Sequence, residues 1–163
     1  MSNVKVKVCG ISNPEMVKQL VKLELDFIGF IFYKKSPRYV SNQIAKNLLN
    51  IDFSNTRPVC VYVNPTKDYV LETSSYFDNP ILQFHGEEPE SFCNSFNLEY
   101  WKAIRVKNSS SFAEILSYQS AKAILLENHK DGLYGGTGEA FDWSLIKGHD
   151  HQNKKIILSG GIN

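Results

Sequence analysis

The sequence predicts an α/β fold, a parallel sheet whose strands are joined by helical crossovers. Three observations predict it. Short apolar runs alternate along the whole chain with segments of helical spacing. The strands recur roughly every 20 to 30 residues, close to one unit of a (β/α)8 barrel. The residues fit for chemistry fall at strand ends, where α/β proteins gather their active groups. Alternation by itself fits a barrel and an open doubly wound sheet equally.

Taken in order, Val4 to Val8 reads as the first strand. Pro14 to Leu25 has helical spacing, with Asn13 as N-cap and Pro14 at the first helical position. Phe27 to Tyr33 is the second strand, and Asn42 to Asn50 a helix capped by Ser41. Pro58 to Val63 is the third strand, with Thr66 opening a helix to about Phe77. Ile81 to Phe84 is the fourth, followed by a short helix over Glu88 to Phe96. Tyr100 to Val106 is the fifth, followed by a helix over Ser111 to Tyr118. Ala123 to Leu126 is the sixth and Lys155 to Leu158 the seventh. Nothing along the way resembles a linker, so one domain spanning 1–163 is expected.

The sixth strand leads into the stretch that organises the site. Glu127 closes it, and Leu133 to Trp143 follows, with Gly135, Gly136 and Gly138 in a loop and Asp142 as N-cap of a helix at Trp143. Glycines let a ligand approach the main chain closely, and free backbone N–H groups there suit a phosphate. Neither a P-loop nor a dinucleotide fingerprint is present, because no Lys-Ser/Thr pair follows and the glycine spacing differs.

Composition excludes several classes. Hydrophobic residues make up 42% and charged residues 21%, and 18 basic against 17 acidic residues leave a net charge of +1. That balance argues against nucleic acid or a membrane surface as the main partner. Cys9, Cys60 and Cys93 are odd in number and lack metal-ligand spacing, which points to free thiols in a reducing, cytoplasmic setting. Met1 to Cys9 has no apolar core, so no signal peptide is expected. His149 and His151 flank Asp150 in a polar loop, which reads as solvated rather than as a metal site.

A set of motifs then appears in order. It comprises Lys7-Val8-Cys9-Gly10-Ile11, Gly29-Phe30-Ile31-Phe32 with Ser36-Pro37-Arg38-Tyr39-Val40, and Gln83-Phe84-His85-Gly86. It continues with Trp101-Lys102-Ala103-Ile104-Arg105-Val106, Gly135-Gly136-Thr137-Gly138 with Phe141-Asp142-Trp143, and Ser159-Gly160-Gly161. Together they resemble the phosphoribosylanthranilate isomerases of tryptophan synthesis. The resemblance implies a TIM-type (β/α)8 barrel and a cofactor-free Amadori rearrangement. The substrate would be N-(5-phosphoribosyl)anthranilate and the product 1-(2-carboxyphenylamino)-1-deoxyribulose 5-phosphate.

The chemistry asks for a general acid to protonate the ribose ring oxygen and a general base to take the proton from C2. The resemblance makes Cys9 the base. Strand alternation puts Lys7 on the same face, with Cα atoms ~7 Å apart, and a nearby cation favours the thiolate, the form that accepts a proton. Glu127 aligns with the family's acid, which is typically Asp, so its reach differs by ~1.5 Å; Asp131 in the same loop is the alternative. Arg38 is expected on the anthranilate carboxylate, because a guanidinium fork matches it. His85, on one face with Gln83, is expected to line the sugar site. Backbone amides of Gly160 and Gly161, with the Gly135-Gly136 loop nearby, would hold the phosphate. Cys60 and Cys93 are expected to be structural.

The chain stops at Asn163, just after the seventh strand, whereas a barrel has eight. Two functional classes follow. One is an isomerase of which this chain is the larger part. The other is a non-catalytic barrel fragment acting as a binding or assembly module. In either, open strand edges would invite self-association, and the isolated chain is expected to be poorly stable and inactive.

Overall fold

The computed structural model describes residues 4–128, 146 and 154–160. Contacts divide the chain into two compact units, Met1–Leu82 and Gln83–Asn163.

The first unit runs β1 (Lys7–Cys9), α1 (Pro14–Lys22), β2 (Phe27–Ile31), α2 (Asn42–Leu48), β3 (Arg57–Tyr62) and α3 (Lys67–Ser74). β1 pairs with β2 and β2 with β3, both parallel, in registers that set Cys9 beside Gly29 and Gly29 beside Val59. The three caps expected in this unit form: Asn13 accepts from the Glu15 amide at 2.9 Å, Ser41 from Ile44 at 3.3 Å and Thr66 from Tyr69 at 3.4 Å. Each satisfies an amide that the first helical turn leaves over. Apart from β3, which is shifted by one residue, the elements of this unit are shorter than the sequence suggests. α1 stops at Lys22 because Leu23 and Glu24 fold back onto the carbonyls of Leu20 and Val21, with Glu24 at φ 54°. β1 covers Lys7–Cys9 rather than Val4 to Val8.

Strand alternation sorts this unit into two faces. Phe30 stacks on Phe77 with centroids 4.9 Å apart, and Phe32 on Tyr62 at 5.6 Å. Tyr62 donates its hydroxyl to Thr73 at 2.8 Å, and Thr73 donates to the Tyr69 carbonyl at 2.7 Å, so α3 is tied to the strand it covers. Cys60 lies fully buried in this layer. Lys7, Cys9 and Gly29 belong to the other face.

β4 (Ile81–Phe84) carries the chain into the second unit. There follow α4 (Glu90–Cys93), a 3-10 turn at Asn94–Phe96, β5 (Tyr100–Val106), a 3-10 helix at Ser109–Ser117, β6 (Ala123–Asn128) and β7 (Lys155–Leu158). β5 pairs with β6 and β6 with β7, again parallel, with Arg105 beside Glu127 and Leu125 beside Ile157. Of the two helices expected from periodicity, the first is thus partly and the second wholly 3-10. Phe84 packs on Phe92 and Phe96 at 5.8 Å each, which places the helical cover on the Phe84 side of β4. Gln83 and His85 alternate to the opposite side. No helix among the described residues is long and apolar enough to cross a membrane.

Candidate active site

In the first unit, the candidate thiol Cys9 sits at the carboxyl end of β1. Gly29 is what makes room for it. A methyl group on Gly29 would stand 2.6 Å from Cys9 Sγ and 3.1 Å from Lys7 Nζ. Thiol and ammonium therefore converge on the space above one glycine, as the alternation of β1 predicts. Cys9 is partly exposed, whereas Cys60 and Cys93 are fully buried. Burial pushes the Cys60 thiol far up, and pushes the Cys93 thiol up to about 12, the charge of Glu88 adding to the effect. Those two are inert thiols, and Cys9 is the accessible one.

Arg38 reaches the same strand end from the loop after β2. Its Nη1 donates to the Cys9 carbonyl at 3.1 Å, passing so close over Gly10 that a Cβ there would lie 2.6 Å from the guanidinium. Gly10 also holds φ +86°, a conformation natural to glycine. The Ser36 hydroxyl accepts from the Arg38 amide at 3.2 Å and shapes the loop. The guanidinium itself is exposed. A cavity of about 330 Å³ in this unit opens at the other end of the strands, around Phe53, Arg57, Phe77 and Asn79. It lies at the amino end of β3, away from Cys9, where barrel proteins keep stability rather than chemistry.

In the second unit, His85 follows β4 and Glu127 lies near the end of β6; both are buried. His85 Nε2 and Glu127 Oε1 are 2.7 Å apart, and the Gln83 amide nitrogen donates to His85 Nδ1 at 2.8 Å. The amide leaves the ring proton on Nε2, where it faces Glu127 Oε1. Gln83 Oε1 is buried with no hydrogen-bond partner among the described residues. Arg105, beside Glu127 in the register, reaches Glu87 with its guanidinium. β7 continues past Leu158 as the Ser159 amide donates to the Leu126 carbonyl at 3.0 Å, and Gly160 turns away with φ +89°.

Of the residues singled out from sequence, the structure brings Lys7, Cys9 and Arg38 together in one unit, and His85 and Glu127 together in the other. Gly135, Gly136, Gly161, Asp131, the helix start at Asp142, and His149, Asp150 and His151 lie outside the described residues. Among the described residues no cluster of His, Cys, Asp or Glu could hold a metal ion. Sequence reasoning missed one feature, the fully buried Lys102 with its partner Glu88. The signal was available: a lysine inside the apolar run Tyr100 to Ile104 must find its charge a partner.

Known proteins match nearly the whole chain. Residues 6–163 match the family model described as N-(5'-phosphoribosyl)anthranilate (PRA) isomerase. The chain is 39% identical over 161 residues to the N-(5'-phosphoribosyl)anthranilate isomerase of Nitrosomonas europaea, covering 98% of this chain and 75% of that protein. It is 38% identical to that of Marinomonas sp., covering 98% and 78%. The crystal structure of phosphoribosyl anthranilate isomerase from Thermotoga maritima superposes with a TM-score of 0.84 at 34% identity, covering 99% of this chain and 78% of that one. A second isomerase structure, in complex with reduced 1-(o-carboxyphenylamino)-1-deoxyribulose 5-phosphate, gives 0.80 at 34% identity, covering 99% and 77%. The α/β succession of strands and helices is thus that of the TIM-type barrel of these enzymes. On the match over residues 6–163 and these identities, the chain belongs to the N-(5'-phosphoribosyl)anthranilate isomerase family.

Proposed function

We propose that this protein is an isomerase of tryptophan biosynthesis, converting N-(5-phosphoribosyl)anthranilate to 1-(2-carboxyphenylamino)-1-deoxyribulose 5-phosphate. The observation that carries the activity is the family match over residues 6–163. A solved relative holding a reduced form of that product supports the substrate class.

The residue roles are our reading of the geometry. Glu127 gives a proton to the ribose ring oxygen, the C1–O bond breaks, and the anthranilate nitrogen lone pair forms the iminium. Cys9 takes the proton from C2, and that electron pair makes the C1–C2 double bond while the iminium electrons return to nitrogen. Reprotonation at C1 and loss of the hydroxyl proton at C2 give the ketone. Lys7 supplies a counter-charge to a thiolate on Cys9. His85 keeps its Nε2–H on Glu127, and this bond strengthens as the carboxyl becomes a carboxylate. A contact that gains strength as the proton leaves favours the transition state over the ground state. Arg38 takes the anthranilate carboxylate as a bidentate pair. Gly160 and Gly161, with Gly135 and Gly136, offer backbone amides to the phosphate. No step in this scheme needs a cofactor.

The same reading places the protein in the cytoplasm, supported by its three free thiols. It also includes self-association through strand edges, supported by the exposed Val4 and Val6 leading into β1. Sedimentation velocity at two protein concentrations tests that part.

The activity is tested by following the fluorescence of phosphoribosylanthranilate with the purified protein. A second arm uses the same chain extended by the last βα unit of the Thermotoga relative. Enzyme-dependent decay in either arm supports the reading. Absence of decay in both, from folded protein, would leave the non-catalytic binding or assembly module.

A further inference from the structure

Lys102 has no part in the scheme above, yet it is fully buried on β5. It belongs to the helix-covered face, with its ammonium 5.4 Å from the centroid of the Tyr118 ring. A charge in that position is costly unless it is paired and hydrogen-bonded, and a buried ion pair is weak grounds for stability, since apolar residues of equal volume serve as well. The contacts of Lys102 show another use. Its Nζ donates to the Gly86 carbonyl at 2.5 Å, to Glu88 Oε2 at 3.3 Å and to the Phe84 carbonyl at 3.5 Å. Glu88 in turn accepts from the Gly86 amide at 3.0 and 3.2 Å. Its carbonyl is fixed by the Tyr118 hydroxyl at 3.0 Å and the Cys93 thiol at 3.7 Å.

The backbone groups of Phe84 and Gly86 flank His85. The Phe84 carbonyl precedes it; the Gly86 amide and carbonyl follow it. The ring of His85 projects to the opposite face, where it meets Gln83 and Glu127. We infer that the buried Lys102–Glu88 pair is a positioning device, which clamps the main chain on both sides of His85 from behind and so holds the imidazole against the acid, Glu127. The inference rests on the proposed roles of His85 and Glu127. Lys102 and Glu88 touch no reacting atom in this scheme; they are positioning residues.

Three variants test it: Lys102→Met, Glu88→Gln, and the two combined. The single Lys102→Met leaves a buried carboxylate without its cation and is the one prone to misfold. The double variant removes both charges, while the new side-chain amide oxygen at position 88 still accepts from the Gly86 amide. It therefore keeps the fold and loses only the grip on the two carbonyls. Two readouts are taken on the folded double variant. The first is the imidazole ¹H–¹⁵N spectrum of His85, which reports ring tautomer and the hydrogen bond to Glu127 without reference to turnover. The second is the kcat against KM split. The expected result is a native protein with one Nε2–H tautomer, a double variant with an averaged or shifted His85 signal, kcat lower by ~10-fold and KM within ~3-fold. An unchanged His85 spectrum overturns the clamp, whatever the melting temperature does. A changed spectrum with unchanged kcat overturns instead the assignment of the His85–Glu127 pair to the reaction.

Discussion

Cys9 and Glu127 stand in contrasting surroundings. Cys9 is partly exposed at the end of a three-residue strand, in space kept open by Gly29 and beside the Lys7 ammonium. Glu127 is buried, hydrogen-bonded to His85, which is itself held by Gln83. The difference fits the two tasks proposed for them. A thiolate base needs approach from a C–H bond and a counter-charge, so its neighbourhood is cleared of side chains. A carboxylic acid that must give up a proton and then stay in place needs a fixed partner for the carboxylate it becomes. One region is built by removing atoms and the other by adding hydrogen bonds.

The contrast breaks at its largest point if either group is dispensable. In the extended, active protein, Cys9→Ala should lower kcat by ~10² or more with the fold intact, read from fluorescence decay of phosphoribosylanthranilate and from circular dichroism. Glu127→Gln should cost as much, because the amide still meets His85 but has no proton to give. Glu127→Asp keeps the acid and loses ~1.5 Å of reach to His85, so a loss of ~10-fold or less is expected. Full activity in Glu127→Gln would move the acid to Asp131.

A second test asks whether the open space itself matters. Gly29→Ala adds one methyl 2.6 Å from Cys9 Sγ and 3.2 Å from the Cys9 Cα. The thiol must swing aside, and displacements near 1 Å at a reacting group cost up to ~10²-fold, so a drop in kcat of ~10-fold is expected. Alkylation sharpens the same point. Iodoacetamide at pH 8 should label Cys9 alone in the folded protein, because Cys60 and Cys93 are buried and Cys93 is pushed up to about 12. Labelling of more than one thiol before unfolding would contradict the contrast.

The two regions also differed in how far the sequence disclosed them. The β1 end was readable because its signals are local. Lys7 and Cys9 are two apart on one strand, and Gly10 and Ser36-Pro37-Arg38 are motif residues with turn chemistry of their own. His85 and Glu127 could each be named as strand-end residues, but their bond joins positions 42 apart, and no periodicity encodes such a pairing. Lys102 was harder still. It lies on the helix-covered face of β5, and only its partners, Glu88 and two carbonyls from another strand end, explain why a charge can lie there. Strand positions carried over well because β-branched and aromatic runs bounded by polar turns are strong signals. The helix after β4 came out as one α turn and a 3-10 turn, and the one after β5 as 3-10 throughout, because apolar spacing alone does not separate the two windings.

The smallest expected effect concerns Arg38, where the openness of the first region is put to use in binding. Its guanidinium is exposed and held to the protein by a hydrogen bond to the Cys9 carbonyl at 3.1 Å. Removing it leaves no buried partner stranded, so Arg38→Ala should alter stability by only ~0.5 kcal/mol. The substrate carboxylate it would grip sits on the aromatic ring and takes no part in bond breaking. A contact of that kind contributes equally to ground and transition states, so its loss should raise KM by ~10-fold and leave kcat within ~2-fold. The control is a substrate analogue whose aromatic ring lacks the carboxylate. That compound should bind Arg38→Ala and the native protein alike. Equal sensitivity of both compounds to the substitution would mean that Arg38 acts through the Cys9 carbonyl, shaping the end of β1. The guanidinium would then belong with Gly29 among the residues that place the thiol.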